Sequence, residues 1–223
     1  MRALLISNYY DAEPGFIGDR FRRHGYSFSE CHRERRTSWP SLAGHDLVLS
    51  LGSDWSVYWP HVESEVAAEA AIIRDAHEQG IPVFGICYGN QIMAHALGGS
   101  VERAAQSEIG WYEVDTDVPD VIAPGPWFEW HNDVVRVPAG AHELARTSSG
   151  PQAWQMGSSF CTQFHPEVNE AVVRRWVEGG GEAEARAFGR DPVQMIDDTR
   201  RNVAISRPNA DRIVDWFVES VVR

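Results

Sequence analysis

The sequence predicts a three-layer α/β domain, a mostly parallel sheet with helices on both faces. Two observations carry this. Strand-like and helix-like segments alternate through the first half of the chain. The strand-like segments are also short, unbroken apolar runs, the pattern of strands covered on both faces, rather than runs alternating apolar and polar.

The elements follow in order. Ala3 to Ile6 is the first buried strand, and a helix-compatible stretch from Phe16 to His24 is stopped by Gly25. Asp46 to Gly52 is the second strand, running into a loop rich in Ser and Trp. From His61 to Glu78, Val66, Ala70, Ile73 and Ala76 line one face of an amphipathic helix, with Gly80 where a C-cap glycine belongs. Ile81 to Ile86 is the third strand and Gln91 to Leu97 the helix after it. Beyond Gly98-Gly99 come short β-rich pieces: Trp111 to Val114, Val134 to Val137, Ala153 to Met156 and Phe160 to Phe164. They extend the sheet or form an antiparallel flap at its edge. From Glu167 the chain reads as helical, is broken at Gly179-Gly180-Gly181, and closes with an amphipathic helix from Ala210 to Val222. With no internal repeat or low-complexity linker, residues 1–223 read as a single domain with a helical tail from about residue 179.

Composition narrows the function. The 223 residues are 43% hydrophobic, enough for a buried core, which excludes a wholly disordered chain. Lys and Arg number 20 against 32 Asp and Glu, a formal charge of -12. That balance argues against nucleic acid or an anionic membrane surface as partner and is otherwise explained by solubility. Cys31, Cys87 and Cys161 are too few and too scattered for a disulfide framework, and no Cys/His spacing suggests zinc. Asp197-Asp198 has no partner that suggests a metal, so neither metal nor cofactor is expected. The N-terminal apolar run is too short for a signal peptide and nothing approaches a membrane span, so a cytoplasmic location is expected.

Chemistry concentrates in two segments. Gly85-Ile86-Cys87-Tyr88-Gly89 stands between a buried strand and a helix. A nucleophile on a tight strand-to-helix turn needs small residues two positions before and after it, because side chains there would crowd the turn. The helix beyond would aim its positive end at the sulfur. The pentapeptide alone also fits a buried cysteine packing as a small hydrophobe. The second segment is Gln163-Phe164-His165-Pro166-Glu167. A thiol nucleophile needs a base, and the base needs a third group to hold its tautomer. Pro166 turns the chain so that Glu167 can reach the His165 imidazole; an isolated His-Pro-Glu also fits a surface histidine beside a helix-start glutamate. Cys161 reads as core.

Together these segments resemble the class I, or triad, glutamine amidotransferase domain, of the stand-alone type related to the glutaminase domain of GMP synthase. Ser107-Glu108-Ile109-Gly110-Trp111, Trp130-His131-Asn132-Asp133 and Gly98-Gly99 are similar to family features, and the likeness runs to about Val168. The resemblance implies a flavodoxin-like fold and a site at the carboxyl ends of the strands. It implies Cys87 as nucleophile attacking the side-chain amide of glutamine, His165 as base and Glu167 as its orienter. It implies an oxyanion hole from the backbone N–H of Tyr88 and one in the Gly52 loop, and substrate contacts from Gln91, Trp130, Asn132 and Asp133. Ammonia released from a γ-glutamyl thioester would pass to a separate synthetase subunit, since no P-loop is present.

The sequence departs from the family at that loop. Where the family has Gly-Gly-Pro, this chain reads Leu51-Gly52-Ser53, and leucine does not take positive φ cheaply, which puts the oxyanion hole in question. Two other functions stay open: a hydrolase of γ-glutamyl amine conjugates, which the aromatic loop Trp55 to Trp59 fits, and a non-catalytic regulatory pseudo-enzyme. Trp55, Trp59, Trp127 and Trp130 fall near the expected mouth as recognition or packing residues. His131 either assists catalysis or shapes the pocket. Arg33, Arg35 and Arg36 form either a solvated basic face or a docking patch.

Overall fold

The computed structural model describes residues 1–35 and 38–222. Four strands form the middle of the main sheet: β1 (Arg2–Ser7), β3 (Leu47–Ser50), β4 (Val83–Ile86) and β10 (Ser159–Thr162). Every residue of β3, β4 and β10 is buried, which is why they read as apolar runs without alternation. With β2 (Ser27–His32), β9 (Gly150–Met156), β8 (His142–Thr147) and β6 (Asp115–Thr116) they make an eight-stranded sheet in the order β2-β1-β3-β4-β10-β9-β8-β6. Pairing is parallel from β2 through β10 and antiparallel from β10 to β6. The β-rich pieces after Gly99 therefore do both things the sequence left open. They extend the sheet, and β5 (Ser100–Tyr112) with β7 (Trp127–Arg136) forms a separate antiparallel ribbon.

Side chains leave the parallel strands alternately toward two cores. Ala3, Leu5, Leu47, Leu49, Phe84 and Ile86 pack against α1 (Gly15–Arg23) and the C-terminal helix α6 (Pro192–Trp216). Leu4, Ile6, Val48 and Val83 pack against α2 (Glu63–Glu78) and α3 (Tyr88–Ala96). The α6 side closes on an aromatic cluster in which Phe84 meets Phe217 edge-on at 5.2 Å and Phe160 at 5.1 Å. Among the described residues no helix is long and apolar enough to cross a membrane.

Three elements differ from the expected pattern. The edge strand β2 gave no apolar run because only Cys31 within it is buried. Helix α3 begins at Tyr88, three residues before Gln91, because Gly89 sits inside its first turn. The final helix begins at Pro192, far before Ala210, and continues through Pro208. A helix-interior proline costs about 3 kcal/mol. Buried Met195, Ile196, Ser206, Ala210 and Ile213 along one face offset that here. The glycine break is real: Gly180, at φ 121°, separates α4 (Glu170–Trp176) from α5 (Glu182–Ala187).

Candidate active site

Cys87 follows β4 directly, at φ 53° and ψ −103°. It is the sole non-glycine residue with positive φ among the described residues. Such a conformation costs roughly 1–3 kcal/mol and persists only where the surroundings impose it. Here its N–H donates to the Thr162 carbonyl at 2.8 Å, tying the turn to β10. A Cβ at Gly85 would lie 2.5 Å from Met93 Sδ, and one at Gly89 would lie 2.1 Å from the Ser50 carbonyl oxygen. The Gly-x-Cys-x-Gly pattern is thus a steric requirement of the turn. Because α3 starts at the next residue, its N-terminal amides converge beside the sulfur. Gln163 Nε2 lies 3.5 Å from Sγ, and Sγ lies 3.8 Å from the Trp130 carbonyl oxygen.

His165 leaves β10 and is anchored by its N–H, which donates to the Phe128 carbonyl of β7 at 2.8 Å. Its Nδ1 lies 2.7 Å from Glu167 Oε1, and both side chains are buried. A carboxylate only accepts, so Nδ1 carries the proton and Nε2 is the nitrogen left for Cys87. Burial works against charge on this ring, but the neighbouring Glu167 and Cys87 charges outweigh it and hold the His165 pKa well above its ordinary value. The Trp176 ring packs against the imidazole at 4.8 Å. The main chain of Glu167 is fixed by α1, whose Phe16 N–H donates to its carbonyl at 3.0 Å. Gly15, at φ 47°, lets that approach happen, since a Cβ there would sit 1.9 Å from the same oxygen. Gly15→Ala is therefore expected to lower stability by at least about 2 kcal/mol in urea unfolding, from the forced φ and the collision together.

The loop after β3 runs beside both residues. A Cβ on Gly52 would lie 3.1 Å from His165 Cε1 and 3.7 Å from Cys87 Cβ, so the loop backbone borders both side chains. Leu51 is buried and does not adopt positive φ, so the strain its sequence position suggested does not arise. What holds this loop is Arg33. Its Nη2 donates to the Leu51 carbonyl at 3.0 Å and its Nη1 to the Gly52 carbonyl at 3.2 Å. The same guanidinium pairs with Glu69 at 2.8 and 3.0 Å and donates to Ser50 Oγ and Asn8 Oδ1. Arg33 is 1% exposed, which overturns both sequence readings of it, the solvated face and the docking patch. Arg35 is exposed and lies over the Tyr9 ring, and Arg36 falls outside the described residues.

The remaining predicted residues line the other side. Gln91 is buried in the first turn of α3, with its Oε1 unpartnered. On β7, Asp133 accepts from Ser56 Oγ at 2.5 Å and Tyr58 OH at 2.7 Å. Asn132 accepts from Ser107 at 2.6 Å and donates to Glu184 at 2.6 Å, while the Trp130 indole donates to the other Glu184 oxygen at 2.8 Å. Glu184 lies on α5, so the tail from about residue 179 packs against this wall. The other three tryptophans expected at the mouth do different work. Trp127 is core, stacked on Phe164 at 4.6 Å, and Trp55 and Trp59 pack against the α2-side core.

A family model described as glutamine amidotransferase class-I matches residues 60–174, just over half of the chain. The chain belongs to this family. It is 35% identical over 182 residues to the glutamine-hydrolyzing GMP synthase of Aquifex aeolicus, covering 77% of this chain and 34% of that protein. To the enzyme of the same name from Neisseria gonorrhoeae it is 35% identical over 150 residues, covering 59% and 27%. The chain thus spans about a third or less of these curated relatives' length. Among solved structures, a glutamine amidotransferase from Thermotoga maritima superposes with a TM-score of 0.86 at 26% identity, covering 99% of both chains. One from Methylobacillus flagellatus shares the fold, with a TM-score of 0.85 at 22% identity over 99% of this chain and 95% of that one. The likeness to the Thermotoga protein includes the C-terminal helices, beyond the Val168 limit of the sequence resemblance.

Within this class-I amidotransferase, His131 lies in a carboxylate cage, close enough to Cys87 for the charge there to act on it as well. Its Nδ1 donates to the Asp133 carbonyl at 3.0 Å, and its Nε2 faces Glu108 at 3.1 Å and Glu129 at 3.4 Å. These three side chains have metal-ligand spacing. The Glu108 oxygen involved also accepts from Thr147 and Gln152. An imidazolium satisfies the charge of the cage. Burial opposes that charge, but Glu108 and Glu129 outweigh it and raise the His131 pKa to about 10. Unfolded, the ring titrates near 6.5, so between those values the folded state holds a proton that the unfolded state has lost. This stabilisation is intact below pH 6.5 or so and drains away as pH rises toward 10, by at most about 1.4 kcal/mol per pH unit. Thermal melts should show Tm falling across that window in the wild type. His131→Asn should have a shallower fall, with the same-signed contribution of His165 remaining.

Sequence reasoning gave Gln163 no role of its own and passed over Trp176, Glu184 and the Arg33–Glu69 pair. One signal for the pair was present: Glu69 is a charged residue three positions after Val66, on the apolar face of α2, and it is fully buried. A buried carboxylate in that position calls for a cationic partner.

Proposed function

We propose that this class-I amidotransferase hydrolyses the side-chain amide of glutamine through a γ-glutamyl thioester on Cys87. The observation that carries the reading is the nucleophile turn at φ 53°, with Gly52 bordering both Cys87 and a His165–Glu167 pair closed at 2.7 Å. The glutamine-hydrolyzing activity of the GMP synthases it is similar to supports it. His165 Nε2 takes the thiol proton before the attack, and the resulting thiolate adds to the amide carbon as the carbonyl electron pair moves onto oxygen. That oxyanion lies against the backbone N–H groups of Gly52 and Tyr88, where fixed donors stabilise developing charge. The pair returns, the C–N bond breaks, and His165 protonates the departing nitrogen to give ammonia. Water then attacks the thioester carbonyl, giving its proton to His165. The C–S bond breaks, and sulfur recovers its proton as glutamate leaves.

Gln91 and the backbone around Asn132 and Asp133 seat the amino-acid end of the substrate, with Trp130 as a wall. The tail is part of this unit, because Glu184 fixes Trp130 and Asn132. The ammonia is handed to a synthetase outside residues 1–223.

The test is release of glutamate and ammonia from L-glutamine beside a panel of γ-glutamyl amines. Equimolar release, with glutamine the preferred substrate, supports the reading. Faster turnover of larger γ-glutamyl amines would instead make the protein a conjugate hydrolase with the same thioester chemistry. No turnover of any substrate by a chain whose Cys87 is free and alkylatable would contradict it.

A further inference from the structure

We propose that Arg33, clamped by Glu69, is the positioning residue that sets both donors of the oxyanion hole. This rests on the thioester reading above, in which Gly52 and Tyr88 supply those donors. A trans peptide is planar, with its C=O and N–H pointing in opposite directions. The Leu51 carbonyl and the Gly52 N–H belong to one such unit, so the guanidinium that grips the carbonyl at 3.0 Å fixes the direction of the N–H on the far side. The bond to the Gly52 carbonyl at 3.2 Å pins the next unit in the same way. Gly52 therefore needs no second glycine before it to hold its orientation, and Leu51 is tolerated where the family pattern has glycine.

The same group also reaches the second donor. The Arg33 guanidinium stacks on the Tyr88 ring at 4.5 Å from its centroid, and the Tyr88 amide opens α3 beside the sulfur. Ser50 links the halves. Its hydroxyl donates to Glu69 at 2.8 Å and accepts from Arg33 at 3.1 Å, while its carbonyl is the atom that excludes a side chain at Gly89. A positive charge on the far end of a peptide also polarises it, strengthening the N–H as a donor. A planar fork with fixed donors suits this task, and a lysine ammonium cannot reproduce it.

Arg33→Met alone strands a buried Glu69 carboxylate and is expected to unfold. The informative variant is the double replacement Arg33→Met with Glu69→Gln, which removes both charges and the two carbonyl anchors. It should unfold cooperatively and react with iodoacetamide at Cys87 within about threefold of the wild-type rate. Its kcat on glutamine should fall roughly 100-fold with KM within about threefold. Inhibition by glutamate γ-semialdehyde, which forms a tetrahedral adduct with the thiol, should weaken in step, while affinity for product glutamate stays level. A folded double variant with kcat within about threefold of wild type overturns the proposal, as does a rise in KM at constant kcat. If the double variant does not fold, Arg33→Lys decides. It keeps the ion pair, and a kcat reduced about tenfold supports the fork, whereas wild-type kcat overturns it. The parallel wild-type assay separates the two claims, because its failure on glutamine condemns the function reading as well as the clamp.

Discussion

Replacing Cys87 with alanine is expected to reduce glutamate release from glutamine by roughly 10⁴- to 10⁶-fold, the scale on which nucleophile loss acts in covalent hydrolysis. The effect should fall on kcat, with glutamine still bound, because the residues assigned to the amino-acid end of the substrate lie on α3 and β7 and do not depend on the sulfur. Stability should not fall. Alanine at φ 53° carries the same backbone strain as cysteine, and the amide bond to Thr162 and the glycine contacts that impose it are unchanged. Glycine at this position should stabilise the fold while abolishing activity, since it takes positive φ freely. Denaturant midpoints for wild type, Cys87→Ala and Cys87→Gly would check this. A Cys87→Ala protein retaining turnover within tenfold of wild type or so would place the chemistry elsewhere.

Glu167→Gln is expected to lower kcat by roughly 10²- to 10⁴-fold while leaving the fold intact. The carboxylate oxygen 2.7 Å from His165 Nδ1 fixes a proton there and so leaves Nε2 toward the sulfur. An amide can rotate to offer its NH₂ instead, which favours the opposite tautomer and puts the proton on the wrong nitrogen. The substitution also has a pH signature. Glu167 is the leading charge holding His165 above its ordinary value, so its loss lets the ring deprotonate at lower pH. The alkaline limb of the kcat/KM profile should move down the pH scale in Glu167→Gln relative to wild type. An unmoved limb would show that another group controls it.

The reactive residues were legible because their chemistry dictates composition. A strained turn at Cys87 requires Gly85 and Gly89, and a base leaving a strand beside its orienter requires the short His165–Glu167 spacing, so local sequence carries the signal. Residues that act across the fold left weaker traces. Arg33 sits in a run with Arg35 and Arg36 that reads as surface charge, and its burial comes from the end of β1, β3 with its following loop, α2 and the Tyr88 ring of α3 converging on it. The doubt attached to Leu51 came from reading the loop by itself, without the guanidinium that holds it. Among the elements, the central strands were legible because they are covered on both faces. β2 and much of β5 were not, because one side of each meets solvent or the ribbon partner and the apolar pattern is diluted. The reach of α6 was hidden by Pro208, whose local cost tertiary packing overrides.

The most direct test is to capture the covalent intermediate. Purified protein is mixed with L-glutamine, quenched in acid within the first turnovers, and digested for mass spectrometry. A γ-glutamyl group should appear on the peptide containing Cys87, absent from Cys87→Ala and from peptides containing Cys31 or Cys161, and should accumulate when Glu167→Gln slows its hydrolysis. Turnover of glutamine with no adduct on Cys87 under any quench time, or an adduct on another residue, would contradict the thioester mechanism.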